Sequence, residues 1–125
     1  MFTHIVVGSN DLAKSKKFYD AVFQAIGGNA GSDMGTRLVY NHNGGMFMVT
    51  TPIDGQPATH ANGGTIGFSI ASEDQAHAWH DAGVAAGGTT CENPPGLRDL
   101  GFAKLYLAYL RDPDGNKLCV MLPKG

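Results

Sequence analysis

His4, Cys119, Arg98, Tyr106, Met46 and Met48 are the side chains with the most chemistry to offer in this chain. His4 sits in the run Thr3-His4-Ile5-Val6-Val7. An imidazole there serves as a general base or metal ligand, or rests neutral and hydrogen-bonded beside a cavity. Lys117 precedes Cys119 by two residues, on the same side of an extended chain. A cation in that position favours a thiolate nucleophile; the plainer reading of Cys119 is a small buried hydrophobe. Arg98 follows Pro95-Gly96-Leu97, and a guanidinium on such a loop suits the carboxylate or phosphate of a small ligand. Tyr106 shares the more polar face of its strand with Lys104 and can donate its phenol to the same ligand. Met46, Met48 and Met121 suit a cavity lining that accommodates flat or conjugated molecules. His77 and His80 lie three apart, with no third ligand beside them, and read as surface residues.

The elements that must position these groups come from periodicity and turn signals. Residues 3–7, 36–41, 46–51, 65–71, 102–110 and 117–122 read as strands. Helical spacing follows Ser9-Asn10-Asp11 through Leu12, Phe18, Val22, Phe23 and Ile26, and follows Ser72-Glu73-Asp74 through Ala76, Trp79, Ala82 and Ala85. Gly27-Gly28 and Gly87-Gly88 end the two helices. Asn43-Gly44 and Asp114-Gly115 mark turns between strands.

Alternation along the strands separates two faces. Ile5, Val7, Phe47, Val49, Ile66, Phe68, Leu118 and Val120 form an apolar face for the helices to cover. His4, Val6, Met46, Met48, Thr50, Thr65, Gly67, Ser69, Lys117, Cys119 and Met121 form a smaller, sulfur-rich face suited to a cavity.

The pattern runs twice, which points to internal duplication. Module one covers about residues 1–52, a connector 53–64 and module two 65–125. Ser9 and Ser72 are 63 residues apart while Gly27 and Gly87 are 60 apart, so the second helix is expected to be about three residues shorter.

Composition narrows the function classes. Eighteen glycines in 125 residues is about twice the usual ~7%, and turns and helix ends account for much of the excess. A formal charge of −2 without clustered Lys or Arg argues against nucleic acid as a partner. No apolar run approaches the ~18–20 residues of a membrane span, and the N-terminal residues lack the pattern of a secretory signal. Cys91 and Cys119 lack CxxC spacing and read as reduced thiols of a cytoplasmic protein.

Taken in this order, the pieces resemble the vicinal oxygen chelate superfamily: glyoxalase I, bleomycin-resistance proteins and extradiol dioxygenases. The carriers are the opening Thr3-His4-Ile5-Val6-Val7, Asp11-Leu12, Phe18-Tyr19 and the closing Asp112-Pro113-Asp114-Gly115-Asn116-Lys117. Gly87-Gly88-Thr89 with Pro95-Gly96-Leu97-Arg98 is similar to a small glyoxalase-like branch of bacterial proteins. The resemblance implies an α+β fold in which two βαβββ modules form a curved mixed sheet around a pocket, with helices on the outer face. It also implies a homodimer.

In the metal-dependent members of that superfamily, four strand positions hold the ion through His, Glu or Gln. Carried over, these positions fall on His4, Met48, Gly67 and Cys119. Only His4 is a good ligand of the hard type, so no cofactor is expected; a bound divalent metal is the alternative. No Asp or Glu is expected on the cavity face to act as a base. The function implied is a glyoxalase-like protein with a degenerate metal site. It would bind a small organic ligand through Arg98, Tyr106, Met46, Met48 and Cys119. The alternative is a lyase or dioxygenase type enzyme, similar to lactoylglutathione lyase, with His4 as metal ligand or base.

Overall fold

A computed structural model describes residues 1–124; Gly125, the expected end of module two, lies outside them. The chain runs β1 (Ile5–Gly8), α1 (Leu12–Ala25), β2 (Ser32–Asp33), β3 (Arg37–His42), β4 (Gly45–Thr50), β5 (Ile66–Ser69), α2 (Glu73–Ala85), β6 (Thr89–Thr90), β7 (Gly96–Asp99), β8 (Lys104–Arg111) and β9 (Lys117–Pro123).

Helix α1 starts where the extended Asp11 accepts the Lys14 amide at 3.2 Å, satisfying one of the orphan donors of the first turn. Ser15, Phe18, Tyr19, Val22 and Phe23 form its buried stripe. Helix α2 is capped by Ser72 through the Gln75 amide, and the Gln75 side chain returns to the Ala71 amide at 2.8 Å. Its buried residues include Ala76, Trp79 and Gly83. Gly83 admits α1 closely: a Cβ there would lie 3.0 Å from a methyl of Val22.

The strands form two mixed sheets, one per module. The first has the order β1-β4-β3-β2 and the second β5-β9-β8-β6, with β7 also paired to β8. Each module is βαβββ, as expected, and β7 is an addition in the second. The curved sheet is thus hydrogen-bonded in two halves. The tract holding Arg98, read as a loop, pairs antiparallel with β8 from Gly96 to Asp99. That pairing depends on a distant partner and leaves no local period.

The core matches the apolar face read from alternation. Ile5, Val7, Phe47, Val49, Ile66, Phe68, Leu118 and Val120 all join one cluster with the helix stripes. Phe68 of module two packs edge-on against Phe23 and Phe47 of module one, at 5.4 and 5.5 Å between ring centroids. The turn after β8 also ties the modules together. Asp112 is buried; it accepts the Tyr19 hydroxyl at 2.5 Å and the Asn116 amide group at 2.8 Å. Asp114 accepts the Asn10 amide at 2.9 Å.

The register corrects the repeat spacing. Ile5 pairs with Phe47 and Ile66 with Leu118, and the helix caps are Asp11 and Ser72. Both relations put the first half of the repeat at 61 residues, and the helices have 14 and 13 residues. The spacing of 63 fails because Ser9 is no helix cap. It is buried, and its hydroxyl meets that of Ser15 at 2.6 Å. The counterpart of Gly67 is therefore Val6, and that of His4 is Thr65.

Candidate functional site

The face turned away from the helices carries the candidate residues. Paired residues share a face, so Arg37, Val39 and Asn41 of β3 lie beside Thr50, Met48 and Met46 of β4. In the second sheet, Leu107, Tyr109 and Arg111 of β8 lie beside Met121, Cys119 and Lys117 of β9. Arg98 of β7 joins them through its pairing with Leu105. Met48 and Cys119 are buried, whereas Val6, Met46 and Met121 are about two-fifths exposed, at 42%, 39% and 39%.

His4 is exposed, just ahead of β1. Its Nδ1 and the Thr3 hydroxyl are 2.8 Å apart. It shares a cavity of about 250 Å³ with Met46, Met1 and Phe2. A second cavity, of about 370 Å³, lies at the junction of the modules and is lined by Val6, Thr59, Thr65, Ile66 and Lys117. The two copies of the polar face therefore meet beside the connector.

Four positions decide what a metal would find: His4, Met48, Thr65 (rather than Gly67) and Cys119. Gly67 instead makes room beside Cys119, because a Cβ there would lie 3.2 Å from Sγ. Burial raises the Cys119 pKa; the Glu92 charge adds to this and Lys117 offsets it in part. The thiol is protonated at neutral pH. Among the described residues no three His, Cys, Asp or Glu side chains group as a metal set.

The lysine expected to activate Cys119 is otherwise engaged. Lys117 is paired with the Glu92 carboxylate and stands 5.1 Å over the Tyr109 ring. An acid therefore does reach this face, contrary to the sequence expectation. Glu92 arrives from the segment after β6, with a left-handed backbone of φ 58°. Nothing in its local sequence announces this. Tyr109 was discernible, since it shares the parity of Leu107 and faces Cys119 across the ladder.

Arg98 and Tyr106 are not brought together. Arg98 gives its guanidinium N–H groups to the carbonyls of Gly96, Asn93 and Pro94 at 3.1, 2.9 and 3.0 Å. Tyr106 pairs with Leu97 and faces the helices, where its hydroxyl meets His77 Nε2 at 2.7 Å. The expectation that both bind one ligand is corrected by that single step of register. His80 remains apart on α2, and burial lowers its pKa.

His42, at the end of β3, and His60, in the connector, lie apart from these residues. His60 packs on the glycine of the closing turn: a Cβ at Gly115 would be 2.7 Å from its Nδ1. His42 packs edge-on to Phe23 at 6.0 Å, and its buried Nε2 lacks a hydrogen-bond partner.

Residues 1–120 match the family profile described as the glyoxalase/bleomycin resistance protein/dioxygenase superfamily. Among solved structures, a glyoxalase/bleomycin resistance protein from Albidiferax ferrireducens is 57% identical with a TM-score of 0.93, covering 97% of this chain and 98% of its own. A glyoxalase-related enzyme from Fulvimarina pelagi is 19% identical with a TM-score of 0.72, covering 97% and 86%. The fosfomycin resistance protein FosX from Mesorhizobium loti is 13% identical with a TM-score of 0.67, covering 99% and 92%. These last two show likeness of fold. No curated protein matches the chain.

Proposed function

Since the chain belongs to the glyoxalase/bleomycin resistance protein/dioxygenase superfamily, we propose that it binds a small organic ligand on its polar sheet faces without a resident metal. The observation that carries this reading is the donor set itself. His4, Met48, Thr65 and Cys119 offer one imidazole, one thioether, one neutral hydroxyl and one protonated thiol. Three good protein ligands are the usual minimum for a catalytic zinc-type site, and hard divalent ions favour oxygen and nitrogen donors. That set does not fit a divalent metal.

The same positions suit an organic molecule. Met46, Met48 and Cys119 provide a polarisable apolar surface, and Arg98 adds a charge at its edge. Tyr106, turned toward His77, supports the sheet from behind. The exposure of Val6, Met46 and Met121 is what a ligand and a second copy of the chain would cover, which supports a homodimer as the working form. Among the described residues no helix is long and apolar enough to cross a membrane.

A second reading is favoured by the Thr3–His4 hydrogen bond. An imidazole with one nitrogen fixed presents the other as a base or ligand, which suits a lyase or dioxygenase type enzyme acting on a small organic substrate. Elemental analysis of protein purified without added metal, followed by thermal shift against small acids, thiol conjugates and polycyclic drugs, separates the two. Ligand stabilisation without metal supports binding. A stoichiometric metal lost in His4→Ala, or turnover of the methylglyoxal–glutathione adduct abolished by that substitution, establishes the enzyme instead.

A further inference from the structure

The polar face has a charge asymmetry that the whole chain lacks. The protein carries 9 Lys and Arg against 11 Asp and Glu. Register nonetheless places Arg37, Arg98, Arg111 and Lys117 on this face. Among the described residues no strand residue on it is acidic, and Glu92 comes in from outside the strands to pair with Lys117. The pair is open to solvent, with side-chain exposures of 23% for Lys117 and 44% for Glu92.

Among the described residues, Lys117 is also the one charged residue lining the 370 Å³ cavity at the module junction. The walls there include the apolar Val6, Val7 and Ile66, the hydroxyls of Thr59 and Thr65, and Asn116. A cavity of that size lies within the range of small-molecule sites, ~300–1,000 Å³. Apolar side chains, two hydroxyls, the Asn116 carboxamide and the cationic Lys117 are complementary to a compact organic body bearing a single anionic group.

Resting on the ligand-binding reading above, we propose that the ligand is a small organic anion, a carboxylate or a phosphate ester. Its charge replaces Glu92 on Lys117. Glu92 is then an internal counter-ion. It orients the ammonium over Tyr109 and gives way to the anionic group of the ligand. An exposed ion pair is weak enough to be exchanged in this manner. Arg111, held by the Gly115 carbonyl at 2.7 Å, and Arg98, held by three carbonyls, are fixed charges that bias the face toward anions without needing to touch the ligand.

Calorimetric titration with benzoate, phenyl phosphate and neutral benzamide tests this on the intact protein. One anion is expected to bind at least about tenfold more tightly than benzamide, and Lys117→Gln to remove that margin. Glu92→Gln is expected to tighten anion binding about threefold or more, by removing the competitor, and affinity is expected to fall with added salt. The preference between benzoate and phenyl phosphate identifies the anionic group. Benzamide binding as tightly as both anions overturns the charge requirement while leaving metal-free binding intact. Weaker anion binding in Glu92→Gln overturns the counter-ion role. Failure of both anions to bind overturns the proposal outright.

Discussion

Arg98 and Tyr106 stand one register step apart on paired strands and on opposite faces of the same sheet. The guanidinium secures the backbone of the segment before it, and the phenol reaches His77 on α2. Two residues that look like partners in the sequence are thus separated by the thickness of a sheet.

Their substitutions should therefore act independently. Tyr106→Phe is expected to cost about 0.5–1.5 kcal/mol of stability and to leave ligand affinity unchanged. Arg98→Ala is expected to cost a similar ~1 kcal/mol and to raise hydrogen exchange across residues 93–98. The double variant should equal the sum within ~0.5 kcal/mol, measured by urea unfolding.

Stability at high pH should depend on Tyr19. Burial, and then the Asp112 charge beside it, raises its pKa well above the ordinary value. The folded phenol keeps its proton where the unfolded one has lost it. This contribution is complete below pH ~10 and declines above it by about 1.4 kcal/mol per pH unit. Tyr40 is raised in the same direction, by burial and then by Asp20. Tyr19→Phe should lose about 1–3 kcal/mol at neutral pH and show a flatter decline between pH 10 and 11.5 than the parent.

Glycine replacements should separate sharply by position. A Cβ at Gly88 would meet the Phe18 ring and lie 2.9 and 3.1 Å from the carbonyl oxygens of Gly83 and Arg111. Backbone cannot move aside as a side chain can, so Gly88→Ala should cost about 2–3 kcal/mol. At Gly45 the nearest atom would be 3.6 Å away, and Gly45→Ala should be neutral within ~0.5 kcal/mol. Equal denaturation midpoints for the two would contradict the packing described.

The thiols should differ in reactivity. Cys91 is partly exposed and Cys119 buried, and neither is disulfide-bonded. Burial raises both pKa values. With a disulfide-exchange reagent at pH 7.5, one thiol should react slowly and the second only as the protein unfolds. Rapid reaction of Cys119 in the native protein would show an activated thiolate instead.

Most of the fold was legible because its signals are local. The caps at Asp11 and Ser72, the terminating glycines and the alternation of Phe47, Val49, Phe68 and Val120 each follow from neighbours a few residues away. The site was less so. Glu92 reaches Lys117 across 25 residues, and β7 exists only because β8 lies beside it. The two-residue strands β2 and β6 are too short to show a period. Ser9 misled the repeat alignment because its hydroxyl meets the Ser15 side chain and the Asp11 amide, while Asp11 caps the first turn of α1. That error moved the repeat counterpart of His4 from Thr65, which carries a neutral hydroxyl, to Gly67, which has no side chain.

The closing turn has a consequence for how the chain is made. Asn116 donates to the Gly8 carbonyl across 108 residues, and Asp112 receives Tyr19 across 93. At synthesis rates of about 5–20 residues per second, β1 and α1 wait roughly 5–20 s for these partners to be translated. During that interval the groups that Asp112 and Asn116 will satisfy must be met by water or by a chaperone. The first module should thus lock only after nearly the whole polypeptide has left the ribosome, and truncated nascent chains ending before residue 112 should remain open to protease.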